Sequence, residues 1–303
     1  MKINASAMPF VILAILAFIW GASFILIKEG LKVMTPLQLA ATRLFIAGSV
    51  FTPFVFHLIK DIAPKDRKFL LFSGLLGNGI PAFLFAYGET KVESSIAGAL
   101  NALTPLFTLI IGSIFGSIVM AKNKTFGVLV GFLGALVLIL GSHFIDNDFD
   151  TLKSGEHKYS LLIILATAMY GANVNLIKVK LSKYKALNIS ALPLFFLAVI
   201  SGFILLFSNW QQLETYENHQ IYKSFGAIAL LAIFGNSISL IMFNRLLQTS
   251  GPIFASSVTY FIPIMALVFG AMDKENIRGI HAVGMLLILL GVYLVSKARN
   301  REN

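Results

Sequence analysis

The sequence predicts an all-α polytopic membrane protein in which ten transmembrane helices form two inverted five-helix repeats. Three observations support this prediction. Hydrophobic residues make up 57% of the 303 residues and charged residues only 13%, whereas soluble domains carry about 25% charged residues. Apolar stretches of about 20 residues recur along the whole chain, as in helical membrane proteins. A nine-residue phrase near the start of the chain also returns 150 residues later.

Ten apolar stretches are predicted to cross the membrane, and they are numbered here as spans 1 to 10. Their predicted bounds are 8–27, 36–59, 69–88, 95–120, 125–144, 159–177, 187–207, 225–247, 253–272 and 277–295. Most connections are short, which leaves no room for a soluble catalytic domain. The longest polar stretches, 146–158 and 209–220, are predicted to be surface loops.

The basic residues predict the orientation of these spans. With the N-terminus in the cytosol, the inner segments carry 14 Lys and Arg residues and the outer loops carry eight. Cytosolic loops of membrane proteins carry the excess of positive charge, so both termini are expected in the cytosol. The same rule explains the net charge of +10 without a nucleic-acid partner.

A repeat divides the chain into halves. WGASFILIK (20–28) returns as YGANVNLIK (170–178), and GALVLILG (134–141) returns as GMLLILLG (284–291), both at an offset of 150. At an offset of 158, the GN pair at 77–78 returns at 235–236, and TPLFTLIIG (104–112) matches IPIMALVFG (262–270).

Each half contains five spans, and because five is odd the second half must enter the membrane inverted relative to the first. The first repeat is placed at 8–144, a connecting loop at 145–158 and the second repeat at 159–296. An inverted repeat is the physical basis of alternating access, with the substrate site near the midplane between the halves.

Several phrases together suggest a family. They are W-G-x-x-F in span 1, TRLFIAG in span 2, the prolines of spans 4 and 9, and an acidic residue before the final G…ILLG span. With the 5+5 arrangement, they resemble the EamA-type branch of the drug/metabolite transporter superfamily over nearly the whole chain. The resemblance implies a ten-helix bundle that moves small metabolites, commonly outward, across the bacterial inner membrane. The acid, Glu275, has no equivalent in the first half, where the matching stretch MAKNKTFG is basic.

Uncharged polar residues recur at repeat-related positions inside the spans. Trp20 and Ser23 share one helix face, as do their counterparts Tyr170 and Asn173. Each such residue alone could serve an interhelical hydrogen bond, but the symmetric group predicts the lining of a central cavity. The predicted substrate-binding residues are Trp20, Ser23, Asn78, Asn101, Tyr170, Asn173, Asn236, Ser239, Thr259 and Tyr260.

Two arginines fall within spans, where a charge costs about 2.5–3.5 kcal/mol near a helix centre. Arg43 either contacts a substrate anion or acts as a gate, or else it snorkels or pairs with a carbonyl, Glu29 or Glu89. Arg245 lies near the cytosolic end of span 8, where it either acts in gating or snorkels to the interface. All 14 acidic residues fall in loops or at span edges, which disfavours coupling through a deeply buried acid and leaves Glu89 as an edge acid that could couple or gate.

Glycines and prolines predict how the spans pack. Gly131, Gly134, Gly141, Gly284 and Gly291 are spaced for close helix approach. Spans 5 and 10 are therefore expected to form a scaffold or the contact of a homo-oligomer. Pro81, Pro105 and Pro263 predict kinks or hinges, or purely structural bends.

These patterns predict a secondary transporter, either an exporter or a facilitator, of small neutral or zwitterionic metabolites such as amino acids. Its expected partners are this small-molecule substrate and the lipid bilayer. The alternatives are an integral membrane enzyme acting on a lipid-linked substrate and a passive channel. No catalytic constellation, metal-ligand spacing, P-loop or dinucleotide motif stands out, so no catalytic residue, metal or cofactor is predicted. The lack of cysteine excludes disulfides and thiolate sites.

Overall fold

The computed structural model describes residues 8–115, 122–146, 157–256, 258–275 and 277–299. All regular elements in these residues are helical, which confirms the all-α prediction. The main helical segments of spans 1 to 5 are Met8–Gly30; Pro36–Ser49 with Thr52–Asp61; Arg67–Gly74, Leu75–Gly79 and Ile80–Gly88; Ser94–Asn101 and Thr104–Ile114; and Lys122–Asp146. Those of spans 6 to 10 are Lys158–Leu176 and Ile177–Leu181; Ala186–Leu206; Asn218–Leu230, Leu231–Ile238 and Ser239–Ser256; Val258–Met272; and Gly279–Arg299.

The lengths of these helices fit a polytopic membrane protein. Within the described residues, six helices are long and apolar enough to cross a bilayer, and the bent span 2 makes a seventh. Three shorter apolar helices, Thr125–Leu140, Phe261–Met272 and Gly279–Leu294, lie in spans 5, 9 and 10. The ten segments follow the predicted order. The orientation of the termini stays a prediction.

Three predicted spans differ from the structure in their details. Span 2 is not one straight helix over 36–59, because it bends by 44° after Ser49, next to Pro53, which has no N–H for the helical ladder. Span 4 is interrupted just before Thr104, and Pro105 then lies in the first turn of its second helix. Span 8 begins at Asn218, inside the predicted loop 209–220, because Glu217 and Gln220 form a capping box there.

Wide π-helical turns interrupt three spans. They cover Leu75–Gly79 in span 3, Ile177–Leu181 in span 6 and Leu231–Ile238 in span 8. Spans 3 and 8 are repeat counterparts, and both of their wide turns contain the repeated GN pair. Such turns add a residue to one helical turn and occur frequently at functional sites.

The packing of the spans follows the inverted repeat. Span 1 packs against span 9, and its counterpart, span 6, packs against span 4, the counterpart of span 9. Span 1 also contacts span 8, as span 6 contacts span 3. Spans 2 and 7, 4 and 9, and 5 and 10 form contacts between counterparts. The two halves therefore interlock, and each uses the other as its packing partner.

Glycines allow these contacts to be close. A Cβ on Gly21 would collide with Met265 of span 9, and a Cβ on its counterpart Gly171 would lie 2.7 Å from the backbone nitrogen of Thr108 in span 4. The predicted glycine face of span 5 packs on span 10, where a Cβ on Gly134 would lie 2.6 Å from the nitrogen of Ile288. These glycines pack against helices of the same chain. A homo-oligomer through spans 5 and 10 would therefore have to use other faces of these helices.

Substitution of Gly134 by Ala should lower the melting temperature of the detergent-purified protein. The added methyl group has no space against span 10, and overpacking of this kind costs about 1–3 kcal/mol. The matched control is Gly226→Ala, because Gly226 is also helical and a Cβ there meets no atom within 4 Å. An equal melting temperature for Gly134→Ala and wild type would contradict the close contact.

Candidate functional site

A central cavity of about 170 Å³ lies between the two halves. Both repeats contribute to its wall, through spans 1 to 4 of the first and spans 6, 8 and 9 of the second. The lining residues are Trp20, Ser23, Phe24, Ile27, Arg43, Gly77, Asn78, Phe85, Asn101, Thr104, Tyr170, Asn173, Val174, Gly235, Asn236, Leu240, Phe243, Val258, Thr259 and Ile262. The wall is mostly aromatic and aliphatic, with a few amide and hydroxyl groups, as in many small-molecule sites.

Eight of the ten residues predicted to bind substrate line this cavity: Trp20, Ser23, Asn78, Asn101, Tyr170, Asn173, Asn236 and Thr259. Ser239 does not line the cavity itself but contacts a lining residue, because its hydroxyl accepts a hydrogen bond of 3.0 Å from Trp20 Nε1. The side chain of Tyr260 lies outside the described part of the structure. The geometry thus brings the predicted group together, while its role in binding stays a prediction.

The repeated asparagines meet at the centre of the cavity. Asn78 and Asn236 lie on the wide turns of spans 3 and 8, and Asn236 Nδ2 donates a hydrogen bond of 3.3 Å to Asn78 Oδ1. This bond joins equivalent positions of the two repeats. The pair therefore marks the pseudo-two-fold axis expected from the inverted repeat.

The repeated phrase at 20–28 and 170–178 also builds the cavity wall. The indole Nε1 of Trp20 donates to the carbonyl oxygen of Gly235 at 3.1 Å, at a wide turn where the regular ladder is interrupted. The ring of Tyr170 instead stacks on Phe85, with centroids 6.0 Å apart and an interplanar angle of 19°. The two copies of the phrase therefore present different side chains to the same space.

Arg43 brings the only charge among the lining residues that the structure describes. It is buried, at 9% exposure, and its Nε donates a 2.7 Å hydrogen bond to Asn236 Oδ1. The expected pairing with a carbonyl, Glu29 or Glu89 is not found among the described residues. Asn236 lies on the wide turn of span 8 at the centre, within hydrogen-bond distance of Arg43. The spacing of residues along the sequence cannot show this contact.

The arginine has no counterpart in the second half. At the offset of 150, the equivalent of Arg43 is Pro193, which lies inside the helix of span 7 and packs against Gly74. The cavity charge therefore belongs to one half only. Phe24, Phe85 and Phe243 are further lining residues that the sequence analysis missed, because phenylalanine is common along this chain and carries no positional signal.

Glu89 is more buried than an edge acid is expected to be. It follows span 3 directly, its exposure is 7%, and neither carboxylate oxygen accepts a hydrogen bond within the described residues. The charged groups that act on it are Arg43, Glu275 and Lys28. It does not line the cavity, but Phe85, one helical turn before it, does.

Arg245 lies apart from this site. Arg245 is exposed on span 8 and is not among the described residues that line the cavity. The contrast separates the two arginines within spans: Arg43 faces the centre and Arg245 faces outward.

A charged network lies at one end of the bundle, opposite the start of span 1 and the end of span 10. Lys28, the last residue of the repeated phrase, forms ion pairs with Asp273 at 2.7 Å and Glu275 at 2.9 Å. The Glu275 oxygens also accept hydrogen bonds from the backbone N–H groups of Ser94 and Ser95, both at 3.0 Å. These N–H groups begin span 4 and have no partner inside the helix, so Glu275 ties spans 1 and 4 to the loop between spans 9 and 10.

The environment of Glu275 favours its charged form. Burial alone would raise the pKa of this carboxyl group, but the hydrogen bonds from Lys28 and Ser95 outweigh burial and hold the pKa below its ordinary value. The counterpart of Lys28, Lys178, is exposed. Among the described residues, no ion pair of Lys178 matches that of Lys28, and the stretch of the first half that corresponds to Glu275 is basic in sequence.

Two inverted five-span halves around a shared central cavity define the architecture of a membrane transporter. The model of the EamA-like transporter family matches residues 8–140 and 157–297. The chain therefore belongs to the EamA-like transporter family.

Relatives that match nearly the whole length of this chain are also named as transporters. An uncharacterized transporter of Archaeoglobus fulgidus is 24% identical and is matched over 95% of this chain and 99% of its own. The uncharacterized inner membrane transporter YedA of Escherichia coli K12 is 25% identical, and the match covers 93% of this chain and 88% of YedA. The uncharacterized transporter YoaV of Bacillus subtilis is 24% identical, and the match covers 91% of this chain and 92% of YoaV. A crystal structure that is 15% identical covers 98% of this chain and 99% of its own with a TM-score of 0.65, a likeness of fold alone.

Glu275→Gln should destabilise the protein at neutral pH by about 1.5–3 kcal/mol, the usual value of hydrogen bonds to a charged group. Because the pKa is lowered in the folded state, the stabilisation is complete above the ordinary Glu pKa of about 4.3 and is lost as the pH falls below it. Melting temperatures of wild type and variant should therefore differ at pH 7 and converge in acid. Glu214→Gln, at an exposed glutamate, is the control, and a difference that is independent of pH would argue against the charged network.

Proposed function

We propose that the protein is a secondary transporter, an exporter or a facilitator, of small neutral or zwitterionic metabolites such as amino acids. It works by alternating access in the bacterial inner (plasma) membrane. The observation that carries this proposal is the central cavity, which both halves build around the Asn78–Asn236 contact. Its volume suits a small organic solute, and its wall holds a single charged side chain among the described residues.

The symmetric packing of the halves supports alternating access over a fixed channel. Counterpart spans make equivalent contacts, so an exchange of contacts between the halves would open the cavity toward the other side with little change in packing energy. The network of Lys28 and Glu275 lies at one end of this path. In this mechanism it must break when that end opens.

The family and its relatives favour transport over the alternative of an enzyme on a lipid-linked substrate. The matched relatives are named as transporters, and YedA is named as an inner membrane protein. The cavity wall offers amide and hydroxyl groups that can bind a polar solute, together with aromatic faces for its apolar part.

In proteoliposomes, the purified protein should exchange labelled leucine or another neutral or zwitterionic metabolite, and unlabelled solute inside should accelerate uptake. This counterflow distinguishes a carrier from a passive channel, which shows none. Asn78→Ala removes the hydrogen bond between the two asparagines and should reduce exchange about tenfold. Asn236→Ala also removes the acceptor of Arg43 and should reduce exchange further, and the double variant should be hardly worse than Asn236→Ala, because the bond between the asparagines is then already lost.

Asn218→Ala is the control, since Asn218 is exposed at the start of span 8. A thermal-shift screen of a metabolite panel on the same variants reports binding separately from flux. Absence of flux for the whole panel would overturn the transport proposal. Binding and flux that ignore both central substitutions would overturn the location of the site.

A further inference from the structure

We propose that Arg43 forms a carboxylate-binding subsite in the central cavity, so that the transported solute carries one carboxylate, as a zwitterionic amino acid does, and this carboxylate lies against the arginine. The inference rests on the proposed transport function. It adds the chemical class of the solute, its orientation in the cavity and the residue that selects it.

The guanidinium group of Arg43 is held in place by one hydrogen bond, and its other N–H donors make no hydrogen bond with the described residues. Its Nε is occupied by Asn236 at 2.7 Å, and Asn236 is in turn held by Asn78. The two terminal nitrogens of Arg43 make no hydrogen bond or ion pair with the described residues, and the residue lines the cavity. The guanidinium group is therefore fixed at the cavity wall and has donors left for a solute.

A buried cation without an anion is costly, and a partner anion removes much of that cost. Glu89 is the carboxylate whose charge acts on Arg43, but the two groups form no ion pair among the described residues, and Glu89 lies behind the wall. A planar guanidinium binds a carboxylate through two parallel hydrogen bonds. A phosphate dianion would call for further cations, whereas the other described lining residues are uncharged.

The rest of the wall defines what the carboxylate is attached to. Trp20 and Phe243 pack with ring centroids 5.2 Å apart, and Phe85 stacks on Tyr170. These aromatic faces suit an apolar body of the solute. Because the counterpart of Arg43 is Pro193, the charge lies on one side of the pseudo-two-fold axis, and the carboxylate can bind in one orientation only.

The test compares two solutes of equal size, 4-methylpentanoate and 4-methylpentanamide, by calorimetry on the detergent-purified protein, with leucine as the zwitterionic probe. Wild type should bind the carboxylate at least about tenfold more tightly than the amide, as expected for hydrogen bonds to a charged group. Arg43→Gln should bring this ratio close to one, because the carboxylate loses its charged donor and the amide does not depend on that charge. Arg43→Lys keeps the charge without the planar fork and should give an intermediate ratio.

Arg245→Gln is the matched control, because it also removes an arginine from a span but lies on an exposed surface; its ratio should equal that of wild type. A wild-type ratio near one, or a ratio unchanged in Arg43→Gln, would overturn the subsite, and so would failure of both carboxylates, 4-methylpentanoate and leucine, to bind wild type. If Arg43→Gln does not fold, an unchanged ratio in Arg43→Lys overturns it equally. Flux of other metabolites in proteoliposomes decides the transport proposal independently of these results.

Discussion

Close contact between glycine faces of one half and helix backbones of the other is the constraint on which this structure depends. Inside a bilayer, lipid tails are as apolar as leucine side chains, so van der Waals packing and interhelical hydrogen bonds must hold helices together. Gly21 and Gly171 let spans 1 and 6 approach the proline-containing spans 9 and 4 so closely that a single Cβ would collide. Since both contacts join opposite halves, they also determine where the halves leave space, and the central cavity lies beside them.

The inverted repeat makes the two halves alike, and its departures from symmetry give the cavity its character. Trp20 and Tyr170 occupy equivalent positions but use different contacts, one donating to the Gly235 carbonyl and the other stacking on Phe85. Arg43 corresponds to a proline, so the cavity contains a charge on one side only. These differences make the two sides of the cavity chemically distinct although the halves share one fold.

The two ends of the helix bundle also differ, in their charged residues. Glu275 satisfies the first N–H groups of span 4 and pairs with Lys28, so one acid neutralises both a helix terminus and a lysine. At the other end, the matching stretch of the first half carries lysines instead. Because lysines cannot form such an ion pair with Lys178, the sequence does not repeat this network at the other end.

Sequence alone determined the membrane character, the all-helical class, the order of the ten spans and the inverted repeat, because apolar length and repeated phrases are properties of the chain itself. It also indicated eight of the residues that line the cavity, since polar side chains at symmetric positions avoid lipid. Only the tertiary structure decided that Arg43 pairs with Asn236, that Glu89 is buried and that Arg245 faces outward. Asn236 lies on the wide turn of span 8, and Glu89 and Arg245 follow the wide turns of spans 3 and 8 along the chain. A sequence read with a constant helical period cannot place side chains beyond such breaks, because each added residue in a turn rotates everything that follows.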